Sequence, residues 1–382
     1  MIVPFYRHSL SPNVAENVAK VISTPFLTSG PIGKEVEQLL CEYFDVKNSK
    51  LVNSWTNGAV ATLLAADIGP GDEVIVPAMS FIATANVVEL VGATPIFIDC
   101  DKDTLLITPD LVKKAITNKT KAVIPVHMYG QMCDIKSIRE ILPENQKILI
   151  IEDCAHSFES KIDNYRPGKY SDAAIFSFYA TKNVTCGEGG AIITNDEKLY
   201  SRIIQAILHG MSAGAADRFK TGKYNHWNMD HLGTKANLPD LLACLLPEQI
   251  RTIDQRLSER EKIAAKYESD LSSTKFKLPK NQGKEIVHAR HLFTIGVGNV
   301  NRDEILNILS RNQIGVTVNY RAIPTMNFYQ NKYKIDPQSI ANSIEWGNET
   351  ISLPFYPSLS QEEQNFVVKV LLEEVQPMIE RV

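Results

Sequence analysis

From about residue 50 to residue 194 the chain alternates short β-branched runs with helix-like stretches, and this alternation restricts the fold more than any other feature. Asp72-Glu73-Val74-Ile75-Val76-Pro77 is followed by a helical Ala83-to-Leu90 segment and then by Thr94-Pro95-Ile96-Phe97-Ile98-Asp99. The pattern returns at Lys121 to His127, Ile148 to Ile151, Ala173 to Ser177 and Gly190 to Thr194. Strands separated by helices need crossover connections, so the spacing predicts an α/β chain with a mostly parallel sheet between helices. Ligands of such sheets sit beyond the C-terminal ends of the strands. Asp99, His127, Asp153 and Ser177 stand at or just after those ends.

At 382 residues the chain exceeds the size at which one core stops growing, which predicts two domains. The expected division is a large domain over 1–245, with segment 1–30 at the substrate entrance, and a smaller α+β domain over 246–382. Segment 210–240 is rich in Gly, Ala and polar residues without a sustained period and reads as a long functional loop. Leu241 to about Leu271 is helix-like with a charged face and is expected to bridge the domains. Beyond it lie a strand-like His291-to-Val297 run and a helical Arg302-to-Arg311 stretch.

A net charge of −4 gives no electrostatic case for nucleic acid or an anionic membrane as partner. No apolar stretch reaches about 18 residues, and Met1 to His8 lacks a charged leader with an apolar block, so a cytoplasmic protein is expected. The six cysteines are scattered singly, without the spacing of a zinc site or a disulfide framework, so no metal is expected. These exclusions direct attention to a small-molecule site.

Lys182 lies in the run Phe176-Ser177-Phe178-Tyr179-Ala180-Thr181-Lys182-Asn183-Val184-Thr185-Cys186-Gly187-Glu188-Gly189-Gly190. Ser177 and Thr181 can hydrogen-bond a phosphate ester, and the glycines permit a close backbone approach. Upstream, Ile148-Leu149-Ile150-Ile151 ends in Glu152-Asp153-Cys154-Ala155-His156, which offers a carboxylate at a strand end. A lysine that forms an imine and a carboxylate that keeps a pyridinium nitrogen protonated are the two groups pyridoxal phosphate requires. Leu51-Val52-Asn53-Ser54-Trp55-Thr56-Asn57-Gly58-Ala59 reads as strand, polar turn and Ala-rich helix. Its helix N-terminus suits a phosphate, although capping explains Ser54 or Thr56 equally well. Phe81 is placed either to stack on a pyridine face or to fill a core.

Taken together and in order, these segments resemble the DegT/DnrJ/EryC1 family of nucleotide-sugar aminotransferases, which are fold-type-I pyridoxal-phosphate enzymes. The likeness also takes in Leu27-Thr28-Ser29-Gly30-Pro31, Gly69-Pro70-Gly71-Asp72, His209-Gly210, His288-Ala289-Arg290-His291-Leu292-Phe293 and Ser352-Leu353-Pro354-Phe355-Tyr356-Pro357. In pattern it comes nearest to the UDP-4-amino-4-deoxy-L-arabinose synthase type. The resemblance implies that Lys182 forms the imine and moves the proton, that Asp153 pairs with the ring nitrogen, and that His156 contacts the ring's O3′. Phe81 would cover a ring face. Ser54, Trp55, Thr56 and Ser177 would hold the phosphate. Asn237 matches the position that reaches the phosphate from a neighbouring subunit, which implies a homodimer with shared sites.

L-Glutamate is the implied amino donor, and a nucleotide-linked keto-deoxy sugar, aminated at C3 or C4, the implied acceptor. Substrate is expected near Thr28, Ser29, His127 and Tyr320, with Arg321 as an anion contact. The chain departs from the family pattern at Trp55, Asn57 and Pro239, which bear on the phosphate turn and the sugar pocket. Relatives that dehydrate carry histidine where this chain has Lys182, so lysine points to amino transfer. Two other readings compete. A Rossmann-type oxidoreductase fits the alternation but lacks a GxGxxG after an early strand. A non-catalytic, cofactor-binding sensor would use the same scaffold.

Overall fold

The computed structural model describes residues 1–212, 226–282 and 285–381. Eleven strands are found among them. Strands β1 (Asn48–Val52), β2 (Glu73–Pro77), β3 (Thr94–Ile98), β4 (Thr120–Val123), β5 (Leu149–Asp153), β7 (Ala173–Ser177) and β8 (Gly190–Thr194) form one sheet in the order β1-β8-β7-β5-β4-β2-β3. The short β6 (Lys161–Ile162) pairs with β9 (Ile286–Val287), and β10 (Phe293–Gly296) pairs with β11 (Thr350–Leu353). In the large sheet β8 alone runs against its neighbours, antiparallel to both β7 and β1. No helix separates β7 from β8, so the chain returns beside itself instead of crossing over. That return leaves the Lys182 loop at the C-terminal end of β7. The α/β class and the mostly parallel sheet are thus as the alternation predicts.

Period-two alternation divides the side chains of the sheet between two cores. Helices α1 (Val14–Ile22) and α2 (Pro31–Phe44) precede the sheet, and Val74, Val76, Ile151, Ile175 and Ile192 face helices α3 (Trp55–Ala65) and α4 (Ala83–Leu90). Their neighbours Ile75, Ile150, Phe176 and Ile193 point to the opposite face, and helix Pro31–Phe44 packs over part of it. Strands covered on both faces read as continuous apolar runs, and every residue of β5 and β8 is buried. A further core joins helix Ile253–Leu271, β10, β11 and helix Gln361–Val370. Val3 belongs to it, tied in by Val3 N–H to Gln313 O at 3.0 Å and Gly315 N–H to Val3 O at 2.8 Å.

Three local expectations change. The strand expected over 121–127 ends at Val123, because Pro125 has no N–H to continue the ladder. The helix expected from Leu241 to Leu271 is three pieces, Asp240–Ala243, Pro247–Arg251 and Ile253–Leu271, with Pro247 starting the second. Of the 210–240 loop, residues 213–225 lie outside the described residues. The rest is tethered by single bridges, Leu208 to Lys235, Met211 to Met229 and Val52 to Asn237. Residues 320–346 reach back over the sheet, where Ile323 N–H bonds to Ala78 O at 2.7 Å and Ile323, Tyr329 and Ile340 join the core against α4. This return carries Tyr320 to the end of β2. No helix among the described residues is long and apolar enough to cross a membrane.

Candidate active site

A cavity of about 410 Å³ lies at the C-terminal ends of β5 and β7. Asp153, His156, Ser177, Lys182 and Tyr320 line it, and Ser54, Trp55, Thr56 and Phe81 complete the walls that the sequence singled out. The sheet accounts for the convergence, since Asp153 closes β5 and Ser177 closes β7, its immediate neighbour.

The Lys182 loop is held rigidly. Lys182 N–H bonds to Tyr179 O at 2.9 Å, Phe178 N–H to Gly189 O at 2.8 Å and Cys186 N–H to Phe178 O at 3.0 Å. Gln249 clamps it from outside, accepting from Thr185 N–H at 3.1 Å and donating to Thr185 O at 2.7 Å. A Cβ at Gly190 would stand 2.5 Å from Phe176 O and 3.0 Å from Trp55 N, so any larger residue would push the loop's end off the start of α3.

Burial governs the charges. It draws the Lys182 ammonium down to about 8 and pushes the Asp153 carboxyl up to about 6, and each group's charge partly opposes the other's shift. Asp153 keeps its ionised form through Thr84 Oγ1–H at 3.0 Å and Ala155 N–H at 3.1 Å. Between the two values the cavity holds a carboxylate and an ammonium, and just above the upper one the amine is free to attack.

His156 is fixed as one tautomer. Its Nδ1 accepts from Tyr129 N–H at 3.3 Å, so Nε2 carries the proton and donates to Tyr320 Oη at 3.1 Å. Burial and the nearby Lys182 hold its pKa well below the ordinary value, so the ring is neutral. The exposed Phe81 ring lies 5.7 Å from that of Tyr320, centroid to centroid, on the cavity wall.

At the other end, Ser54 caps α3 by accepting from Asn57 N–H at 3.1 Å. The first-turn N–H groups of α3 therefore face the cavity with the positive end of the helix dipole behind them. Trp55 Nε1 and Asn319 Oδ1 are buried without a hydrogen-bond partner among the described residues, and both residues line the cavity. Buried unpaired polar atoms are costly, so these two await a polar guest. A phosphate at the helix start, a ring between Asp153 and Lys182, and an orphan donor and acceptor beside them fit pyridoxal phosphate.

Other expected residues lie elsewhere. His127, expected near the substrate, is instead fully buried and takes no part in lining the cavity. Its Nδ1 accepts from Cys133 N–H at 3.0 Å and its Nε2 donates to Glu152 Oε2 at 2.7 Å. Neither nitrogen is left for a substrate, or for a metal shared with the adjacent Glu152 and Cys154. Arg321 is exposed and outside the cavity walls. Thr28, Ser29 and Asn237 also lie outside them but meet one another, with Asn237 Nδ2 3.0 Å from Thr28 Oγ1 and 3.3 Å from Ser29 Oγ. Buried Asp240 brings them together by accepting from Gly30 N–H at 2.7 Å and Ile32 N–H at 3.1 Å.

Sequence reading missed Thr84, which looked only like a helix residue, and the polar chain behind the lysine. His291 Nε2 stands 3.5 Å from Lys182 Nζ, and its Nδ1 donates to Asn183 Oδ1 at 3.2 Å. Asn183 Nδ2 donates to Glu159 Oε2 at 3.0 Å, and Glu159 pairs with buried Arg260. Asn183 sits beside Lys182 in the chain, but nothing in the spacing links it to Glu159 or His291.

A sheet of this order with a lysine loop after β7 and an acid ending β5 defines a fold-type-I aminotransferase scaffold. Residues 9–372 match the DegT/DnrJ/EryC1/StrS aminotransferase family, and the chain belongs to it. It is similar to Spr1654 of Streptococcus pneumoniae, assigned as a sugar aminotransferase and solved in a PMP form, with 28% identity, a TM-score of 0.90 and 99% of each chain covered. It is also similar to a DegT DnrJ EryC1 StrS aminotransferase from Brucella abortus, with 28% identity, a TM-score of 0.85 and 95% of each chain covered. PseC of Helicobacter pylori, an aminotransferase of pseudoaminic acid biosynthesis, shares the fold at 24% identity and a TM-score of 0.90, over 99% of this chain and 100% of that one.

Proposed function

We propose that the chain is a pyridoxal-phosphate-dependent sugar aminotransferase that takes an amino group from L-glutamate and, in a second half-reaction, gives it to a nucleotide-linked keto-deoxy sugar. The observation that carries this reading is the placing of Lys182 and Asp153 in one cavity, close enough for each to shift the other's ionisation. When bound, pyridoxal 5′-phosphate supplies an aldehyde for the lysine and a ring that withdraws electrons.

Each residue then has a physical task. Lys182 holds the cofactor and, once free, carries a proton at Nζ. Asp153 keeps the ring nitrogen protonated, and Thr84 and Ala155 N–H hold its carboxylate in place. His156 is a neutral ring that donates through Nε2, and Phe81 covers a cofactor face. The turn Ser54-Trp55-Thr56, with Ser177, holds the phosphate. Tyr320 borders the sugar site.

Asn237, outside its own cavity beside Thr28 and Ser29, is the residue we assign to the phosphate of a neighbouring subunit in a homodimer. The same reading divides the chain into domains 1–245 and 246–382, and places the enzyme in the cytoplasm, in the making of deoxyamino sugars such as those of lipopolysaccharide or O-antigen. Spr1654, similar over its whole length, supports the sugar acceptor.

The test is incubation with ¹⁵N-glutamate and a panel of UDP-, dTDP- and GDP-linked 3-keto and 4-keto sugars. One member should gain ¹⁵N with equimolar 2-oxoglutarate released. Absence of 2-oxoglutarate with every acceptor would favour a sensor and sink the catalytic reading.

A further inference from the structure

A buried polar chain runs behind Lys182, and none of its members, His291, Asn183, Glu159 and Arg260, lines the main cavity. Its far end is the ion pair of Glu159, between β5 and β6, with Arg260 of helix Ile253–Leu271, and both residues are buried. Such a pair is seldom more stabilising than apolar packing of the same volume. Here it fixes the direction of every proton between itself and Lys182.

The Glu159 carboxylate accepts from Asn183 Nδ2 at 3.0 Å, and Ala289 O accepts from the same nitrogen at 2.9 Å. With both amide hydrogens directed to acceptors, Asn183 has only its oxygen to offer His291. That oxygen accepts from His291 Nδ1 at 3.2 Å, so the ring proton sits on Nδ1 and the lone pair of Nε2 faces Lys182 Nζ at 3.5 Å. Burial and the positive charges of Lys182 and Arg260 keep the ring from taking a second proton. The result is a neutral acceptor aimed at the amine, and among the described residues it is the one hydrogen-bond partner of Nζ. The other ionisable groups around this corner do not replace it. Asp153 acts through space across the cavity, His156 and Tyr320 are bonded to each other, and Arg7 and Arg256 bring only donors.

We propose that His291 is a positioning residue for amino transfer. By accepting one hydrogen of Nζ whenever Lys182 is free of the cofactor, it holds the nitrogen at the cavity wall where the proton must be moved, and Asn183 with the Glu159–Arg260 pair holds His291. This role in turnover rests on the aminotransferase reading above, whereas the hydrogen bond belongs to the cofactor-free chain as well.

Acylation of Lys182 in the cofactor-free chain, followed against pH by mass spectrometry, tests the contact directly. An acceptor binds an ammonium more strongly than an amine, so it raises the pH at which Nζ loses its proton, and removing it lowers that pH. His291→Phe should move the midpoint down by about one unit. His291→Gln, whose amide oxygen can stand in for Nε2, should recover roughly half of that shift, and Asn183→Leu, which frees the ring to change tautomer, should move the midpoint down by roughly half a unit. In the cofactor-loaded enzyme His291→Phe should lower kcat with glutamate by about tenfold and leave KM within about threefold, because the ring acts after the lysine is released. Should His291→Phe fail to fold, Asn183→Leu and His291→Gln carry the same comparison.

A midpoint unmoved or raised in His291→Phe and Asn183→Leu, or moved as far in His291→Gln as in His291→Phe, would overturn the assignment. A loss of turnover with the midpoint unmoved would mark His291 as structural and likewise remove it. Normal amine transfer with an indifferent midpoint would leave the aminotransferase reading standing without this residue. A shifted midpoint without any amine transfer would remove that reading and, with it, the role in turnover.

Discussion

Ser54, Asp153, Ser177 and Lys182 stand where β1, β5 and β7 run out into turns, whereas Thr28, Ser29, Asn237 and Arg321 come from turns that no strand of the large sheet carries. The first group is positioned by sheet register and by backbone bonds such as Phe178 N–H to Gly189 O. The second is held by isolated contacts, a single bridge from Asn237 to Val52 and the grip of Asp240 on the Gly30 turn among them. Cofactor chemistry can rest on the rigid end, and substrate choice can vary at the other without disturbing it.

Mutations should expose this difference. On the proposed reading Asp153→Ala removes the partner of the ring nitrogen, and it should cost roughly 10²–10³ in turnover, measured by single-turnover absorbance with glutamate. An effect under tenfold would mean that the rigid end is not where the reaction is promoted.

The pH response should be nearly as large. With the Lys182 ammonium drawn down from 10.5 to about 8, the cofactor-free chain carries its neutral amine above pH 8. At pH 7 it should hold roughly 300-fold more free amine than an ordinary lysine. Acylation of Lys182 followed by mass spectrometry should therefore rise through pH 8, and a midpoint near 10.5 would contradict the buried setting.

Thr84→Val removes one bond to the Asp153 carboxylate and should weaken cofactor retention by roughly tenfold, read by dialysis and absorbance. Smallest of all, Arg321→Ala should change turnover no more than about threefold, because an exposed charge contributes little. A larger loss there than at Thr84 would reverse the comparison.

The same contrast explains what the sequence made legible. Runs such as Val74-Ile75-Val76 and Ile150-Ile151 announce buried parallel strands, and acids or small residues at their ends mark the ligand side, so Asp153 and Ser177 could be placed before any coordinates. His127 shares that strand-end position, yet its ring lies inward, paired with Glu152. A strand-end position alone does not disclose which face a side chain takes.

Thr84 and His291 are illegible for another reason. Their partners lie 69 and 109 residues away in the pairs Thr84–Asp153 and His291–Lys182, and only the return of the later chain over the sheet brings the second pair together.

The claim on which the rest depends is that Lys182 is the amine that holds the cofactor. Borohydride reduction of the pyridoxal-phosphate-loaded enzyme, followed by proteolysis and mass spectrometry, tests it most directly. The peptide containing Lys182 should carry the reduced cofactor at near-unit stoichiometry and lose it in Lys182→Ala. Label on another lysine, or full labelling retained by that variant, would contradict it.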